Sequence, residues 1–406
     1  MSISFADIEQ AAARISADVV RTPLVRAHTL SAMTGADVHL KLETLQVTNA
    51  FKVRGALNKL LTLTEAERKA GVIALSAGNH AQAVAYHATR LGIPATIVMP
   101  EHTPWTKVER TSRFGAQVEL AGETLAEAHE HLQRLIAERG LVLVHPYDDP
   151  LVMAGQGTIA LEMLADEPGL EELIIPVGGG GLISGMASAA RHLKPAIGIT
   201  GVELERYPAM RAALAGETAD CGGTTLAEGI AVRDVGKQAI EVCRQLVDRI
   251  DLVSESAVEK AIVTLLSEEK LLAEGAGAAG VAALLAEPGR WTGKSVGLVI
   301  CGANIDQRML ASLIVRELAR DRRVVRLRFL IEDRPGILGL ISTALGRQKA
   351  NILEVHHQRN FLDVPAKGAV LEITVETRGP GHTEEIMAFM RQQDYIAQVT
   401  QLQPGE

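Results

Sequence analysis

An open, mostly parallel α/β fold followed by a small α+β domain is the architecture this sequence predicts. Three observations carry it. Short β-branched runs alternate with helical patterns over the first 320 or so residues, polar glycine-bearing turns follow directly on two of those runs, and after Arg323 the order becomes β-α-β-β-α-β. The 406 residues, 47% hydrophobic and 22% charged, are enough to bury a large core and form two or three domains.

Residues 72–75, 95–99, 141–144, 173–177, 197–202 and 295–300 are mostly apolar on both faces, as strands buried in a parallel sheet are. Residues 78–91, 125–137 and 256–272 carry apolar side chains at i, i+3, i+4 and i+7, the spacing of a helix laid on a sheet. Ligands of open α/β sheets sit beyond the carboxyl ends of the strands, and there Ser76 follows the first of these runs and Gly178 the fourth. Beyond Arg323, residues 324–331 alternate like a strand with one covered face, and Pro335-Gly336-Ile337 opens a helix reaching Lys349. Residues 352–359 and 369–376 read as strands, 384–392 as a helix and 397–402 as a last strand. No low-complexity segment or internal repeat breaks this order.

The net charge is −8, and the basic residues of 316–328 alternate with apolar ones, so nucleic acid is not an expected partner. Cys221, Cys243 and Cys301 are widely spaced and form no C-x-x-C pair, which argues against a disulfide framework and a zinc site and for a reducing cytoplasm. The first residues are acidic where a signal peptide needs a basic stretch, and the longest uncharged apolar stretch, around 275–286, is too short and glycine-rich to span a bilayer. No metal is expected.

Three motifs carry chemistry. Lys52 lies in Asn49-Ala50-Phe51-Lys52-Val53-Arg54-Gly55-Ala56, at the start of a helical stretch and flanked by apolar side chains. Burial disfavours an ammonium, and a neutral amine can form a Schiff base with an aldehyde; taken alone, Lys52 also reads as a surface lysine of helix 51–63. The run Gly178-Gly179-Gly180-Gly181 leaves backbone N–H groups uncovered just before a helix over 182–192, which suits an anion such as phosphate, or is simply a tight strand-to-helix turn. No Lys-Ser/Thr follows Gly181, so a nucleotide P-loop is excluded. Ser76-Ala77-Gly78-Asn79-His80 forms a second such turn, able to clamp a carboxylate or phenolic oxygen, or to cap its helix through Ser76 or Asn79. A lysine, a polar glycine turn and a glycine quartet together suggest pyridoxal phosphate. Cys301 ends a strand on the same rim and is either plain core or a neutral partner for the cofactor's pyridine nitrogen; as a partner it would favour β-elimination over transamination.

Lys52 with Arg54-Gly55-Ala56, the block from Ser76 to Gln82, Gly155-Gln156-Gly157-Thr158, the glycine quartet and the block from Cys301 to Asp306 occur in this order in a known family. The chain resembles the serine/threonine dehydratase branch of the fold-type II (tryptophan synthase β-like) pyridoxal phosphate enzymes, the threonine ammonia-lyases in particular. The resemblance implies a catalytic region over 1–320 with a smaller subdomain, roughly 45–150, inserted in it. It implies Lys52 as catalytic base and cofactor anchor, with Phe51, Asn79, Gly178 to Gly181 and Cys301 around the cofactor. Asn79 would bond the 3′-oxygen, and Ser76, Ala77, Gly78 and His80 would hold the substrate. The implied reaction converts L-threonine to 2-oxobutanoate and ammonia, and L-serine to pyruvate, in amino-acid metabolism such as isoleucine biosynthesis.

Departures from the pattern select within the family. Ala77 stands where serine racemases resemble one another in carrying a second serine, and it cannot transfer a proton, so racemisation is not expected. Glu203 matches one carboxylate of those racemases' cation site, but Ala209 stands at the other. Ala50 replaces the serine usual before Phe-Lys. Residues 324–403 resemble an ACT domain, with Asp333-Arg334-Pro335-Gly336-Ile337-Leu338 as its first loop and helix start and Ala350-Asn351-Ile352 as its second-strand entry. The resemblance implies an amino-acid effector, isoleucine or valine, held by Gly336, Ile337, Leu338, Asn351 and Ile352, or else a domain that only pairs with its copy, and in either case a homo-oligomer, dimer or tetramer. Two rival readings are a threo-3-hydroxyaspartate ammonia-lyase and a non-catalytic sensor in which pyridoxal phosphate and the ACT domain remain without turnover.

Overall fold

The computed structural model describes residues 3–359, 368–395 and 397–400. The chain divides into two compact units, Met1–Ile305 and Asp306–Glu406. Helix Gln307–Arg320, which the sequence grouping counts with the first domain, falls in the second unit.

The first unit holds two sheets. In the larger, the strand order is Leu24–Arg26, Asp37–Leu42, Ser295–Ile300, Glu172–Pro176, Gly198–Leu204, Arg249–Val253, and only the first pair is antiparallel. In the smaller, Gln117–Leu120, Ala95–Met99, Val72–Leu75 and Val142–Leu143 are all parallel. The six strands read from the apolar runs are all present. The four others escaped that reading because their sequences are mixed. In Asp37–Leu42 the charged Lys41 and the imidazole His39 are buried, which a hydrophobic pattern cannot reveal.

Local signals place the helices that carry the site. Asp149 caps helix Pro150–Asp166 by accepting from Leu151 N at 2.8 Å and Val152 N at 3.3 Å, and Pro150 sits at its first turn, where a missing N–H costs nothing. Helix Gly275–Ala286 is buried almost all round, as its Ala/Gly composition permits. Among the described residues no helix is long and apolar enough to cross a membrane. Helix Glu255–Glu268 ends four residues short of the predicted Leu272, near Lys270, which takes a left-handed φ of +59°.

The second unit holds a four-stranded antiparallel sheet in the order Asn351–Gln358, Gly368–Glu376, Val324–Glu332, Ala397–Thr400. Val325, Leu327, Phe329 and Ile331 point to one face, where they meet Ile341, Leu345, Ile386 and Met390 of helices Ile337–Arg347 and Pro380–Gln392. The predicted last strand extends to Leu402, and its final two residues lie outside the described set.

Candidate active site

Lys52 opens helix Lys52–Leu61, and the residues before it are stitched to the end of strand Ser295–Ile300. Phe51 N donates to Cys301 O at 3.0 Å, and Ala50 bridges Gly302. The Lys52 Nζ donates to Pro146 O at 2.7 Å. Burial pulls its pKa down to about 8, with the Glu274 carboxylate pulling the other way, so roughly a tenth is free amine at pH 7.

The residue after Pro146 reaches the glycine quartet. A methyl group on Gly181 would lie 2.8 Å from Tyr147 Cα, and one on Gly179 would clash with the Tyr147 ring. One turn, Pro146-Tyr147, therefore touches both the lysine and the quartet. Gly180 has φ +95° and begins the cap of helix Gly181–Leu193, and a methyl there would lie 2.5 Å from Ala239 Cβ. Only glycine fits these positions. Among the described residues, no acceptor takes the amides of Gly178, Gly179 or Gly180, which leaves a set of free donors at a helix N-terminus.

Asn79 starts helix Asn79–Arg90, and its amide is held from both sides. Its Nδ2 donates to Glu274 Oε1 at 2.6 Å, and Asn304 Nδ2 donates to its Oδ1 at 2.7 Å. Glu274 N in turn donates to Gly302 O at 3.0 Å. Burial pushes the Glu274 carboxyl up to about 7, against the hydrogen bonds of Asn79 and the Asn304 backbone. Cys301 is buried, and burial followed by the Glu274 charge pushes its thiol up, so it is neutral. Ser76 Oγ accepts from Gly78 N at 3.2 Å, a methyl on Gly78 would meet nothing within 4 Å, and Ala77 packs on the core of the smaller sheet. The His80 ring is buried beside Val144 O, 2.7 Å from Nε2, while Nδ1 has no partner among the described residues. Burial and the Lys52 charge pull its pKa down to about 3, so the ring is neutral and Nε2 carries the proton it donates to the carbonyl.

Sequence reasoning passed over Glu274, Pro146 and Tyr147. A lone carboxylate opening an Ala/Gly-rich helix was a usable signal for Glu274. Pro146 acts through its carbonyl, which no side-chain pattern announces. It also passed over the support behind Lys52: Arg54 reaches Glu43 through Nε and Nη2, each at 2.8 Å, and Glu162 at 2.7 and 2.9 Å, while Lys41 donates to Glu162 at 2.6 Å. Glu203 instead caps helix Ala209–Ala215, accepting from Met210 N at 2.7 Å and Arg211 N at 2.9 Å. Among the described residues no three His, Cys, Asp or Glu side chains gather around a cation position.

In the second unit Gly336, at φ +86°, precedes helix Ile337–Arg347, and a methyl there would meet nothing within 4 Å. Ile337 is buried in the domain core and Leu338 is exposed. Asn351 begins its strand and donates to Glu376 at 3.3 Å, with Ile352 half-buried beside it.

Residues 15–302 match the family described as Pyridoxal-phosphate dependent enzyme. The chain belongs to that family. Its cofactor is pyridoxal phosphate, and the residues present suit it: a buried amine of lowered pKa and, across one turn, a glycine cradle with free amides. Residues 320–400 match the ACT domain. Among relatives of this pyridoxal-phosphate enzyme, the L-threonine ammonia-lyase of Thermotoga maritima is 43% identical over 399 residues, covering 98% of this chain and 99% of that one. The solved threonine deaminase of T.th. is 38% identical with a TM-score of 0.71, over 75% of this chain and 99% of that one. Maize serine racemase is 32% identical with a TM-score of 0.74, over 79% of this chain and all of the other.

Proposed function

We propose that the chain releases ammonia from L-threonine, giving 2-oxobutanoate, and acts on L-serine to give pyruvate. The observation that carries this reading is the turn Pro146-Tyr147, whose carbonyl accepts from Lys52 and whose ring covers the glycine quartet. Pyridoxal phosphate bound there supplies an aldehyde for the substrate amine and a ring that draws electrons from the α-carbon. Lys52 would anchor it, and the Gly178 to Gly180 amides with the helix N-terminus would hold its phosphate. Asn79, oriented by Glu274 and Asn304, would direct one N–H to the cofactor's 3′-oxygen. With substrate bound, Lys52 Nζ would take the α-proton; its pKa of about 8 suits a base working near neutrality. Beside the cofactor's ring nitrogen, the neutral Cys301 thiol would leave that nitrogen unprotonated, which would moderate the electron sink and favour loss of the protonated β-hydroxyl as water. The open space over Gly78, beside Ser76, takes the substrate carboxylate. Ala77 presents no proton donor, which separates this reading from racemisation.

The catalytic region runs over the first unit, with the smaller parallel sheet as its inserted subdomain. The ACT domain takes an amino-acid effector at the Gly336 turn, where the left-handed backbone and uncovered space suit a carboxylate. A homo-oligomer in the cytoplasm is the setting we infer. Keto-acid release is measured with threonine, serine and threo-3-hydroxyaspartate, for the native protein and Lys52→Ala. Turnover is expected with threonine and serine and a loss of at least about 10³-fold in Lys52→Ala. Activity surviving that substitution rules the mechanism out, and turnover of 3-hydroxyaspartate alone rules the substrate out.

A further inference from the structure

The motif Gly155-Gln156-Gly157 takes no part in the site described above, yet its two glycines face different neighbours. On one side, helix Pro150–Asp166 meets the helix that begins at Lys52. A methyl on Gly155 would lie 2.7 Å from both Arg54 O and Gly55 Cα, and one on Gly55 would lie 2.7 Å from Val152 O. On the other side it meets the helix that begins at Gly181. A methyl on Gly157 would lie 2.8 Å from Gly185 O, and one on Gly185 would lie 2.6 Å from Gly157 N and overlap Met153 O. Backbone touches backbone at both crossings and cannot yield there, and a methyl on Gly55 would in addition overlap the buried Gln156 amide and lie 2.8 Å from Val152 Cγ1. Around the first crossing, Asn58 Nδ2 donates to Leu151 O at 2.7 Å, Lys59 pairs with Asp149 at 2.7 Å, and Arg54 bonds Thr158 at 3.1 Å.

We propose that this glycine packing is a spacer that sets the separation between the Lys52 amine and the glycine cradle, so that one ligand bearing both an aldehyde and a phosphate is gripped at both ends at once. The inference rests on the reading of Lys52 and the quartet as the two ends of the cofactor site. Two-point binding gains over one-point binding only when the span fits, and a displacement of about 1 Å is enough to cost roughly two orders of magnitude. Gly55, Gly155, Gly157 and Gly185 are thus positioning residues, acting through the two helices they bring together.

The test compares binding of pyridoxal phosphate with that of pyridoxal, which has the same aldehyde and no phosphate, read by the absorbance of the lysine-bound aldehyde. Gly185→Ala displaces the cradle helix, Gly55→Ala displaces the lysine helix, and Gly297→Ala is the control. A methyl on Gly297 would lie 2.7 Å from Met163 Cε, a flexible side-chain end on the same central helix, away from both crossings. Native protein and Gly297→Ala are expected to share one preference for the phosphorylated ligand. In Gly185→Ala and Gly55→Ala that preference drops by about tenfold or more while pyridoxal binds almost as before. An unchanged preference, or equal weakening toward both ligands, overturns the spacer. Should Gly185→Ala fail to fold, Gly55→Ala decides by the same ratio. A native protein with no preference overturns the reading of the site itself, a result distinct from loss confined to the variants.

Discussion

Replacing Arg54 by Met would strand a carboxylate. Glu43 is 0% exposed and Arg54 1%, and the substitution removes Glu43's two hydrogen bonds of 2.8 Å and its main opposing charge, leaving it with Thr22 at 2.6 Å, Gln46 at 3.2 Å and the more weakly acting charge of Lys41. Burial works to raise the Glu43 pKa; in the native protein Arg54 outweighs it, and the carboxyl titrates below its ordinary 4.5. That stability is present above pH 4.5 and lost as pH falls through the folded value. Without Arg54 the balance reverses and the folded pKa rises above 4.5, so the folded variant is favoured at low pH and penalised as pH rises. Its escape is to take up a proton, which at pH 7 costs about 3 kcal/mol at roughly 1.4 kcal/mol per unit. That agrees with the approximately 3–5 kcal/mol expected for breaking a buried pair. Urea unfolding of the cofactor-free protein should therefore show Arg54→Met destabilised by about 3 kcal/mol at pH 7 and by roughly 1 kcal/mol at pH 5. Adding Glu43→Gln should remove most of the pH dependence. A loss below about 1 kcal/mol at pH 7, or the same loss at both pH values, would refute the argument.

The other predictions concern the sites directly. Gly180→Ala forces an L side chain to φ +95° against Ala239; affinity for inorganic phosphate, read by equilibrium dialysis, is expected to fall by about tenfold or more, and undiminished binding would place the anion elsewhere. Glu274→Gln removes a charge that supports the Lys52 ammonium, so the pH midpoint for reductive labelling of Lys52 should move below its present value of about 8; a midpoint that stays or rises contradicts the assigned coupling. Gly336→Asp should leave threonine turnover unchanged and abolish any response to isoleucine or valine, and a preserved response would put the effector at another site.

Much of this protein was readable residue by residue. Backbone freedom at the glycine quartet, the amine of Lys52 and the alternation of apolar runs with amphipathic stretches are local properties, and they sufficed for an open α/β fold with its ligand site at strand ends. Strand Asp37–Leu42 was hidden because its Lys41 is solvated by a carboxylate from residue 162, far along the chain. Glu274 was hidden for the same reason: a carboxyl becomes a group of pKa about 7 only when the fold buries it beside Asn79. The sequence by itself determined which functional groups were available and the turns that present them. Tertiary structure decided their pKa values and their spacing, because desolvation and glycine-to-glycine helix contacts exist only once distant segments have packed.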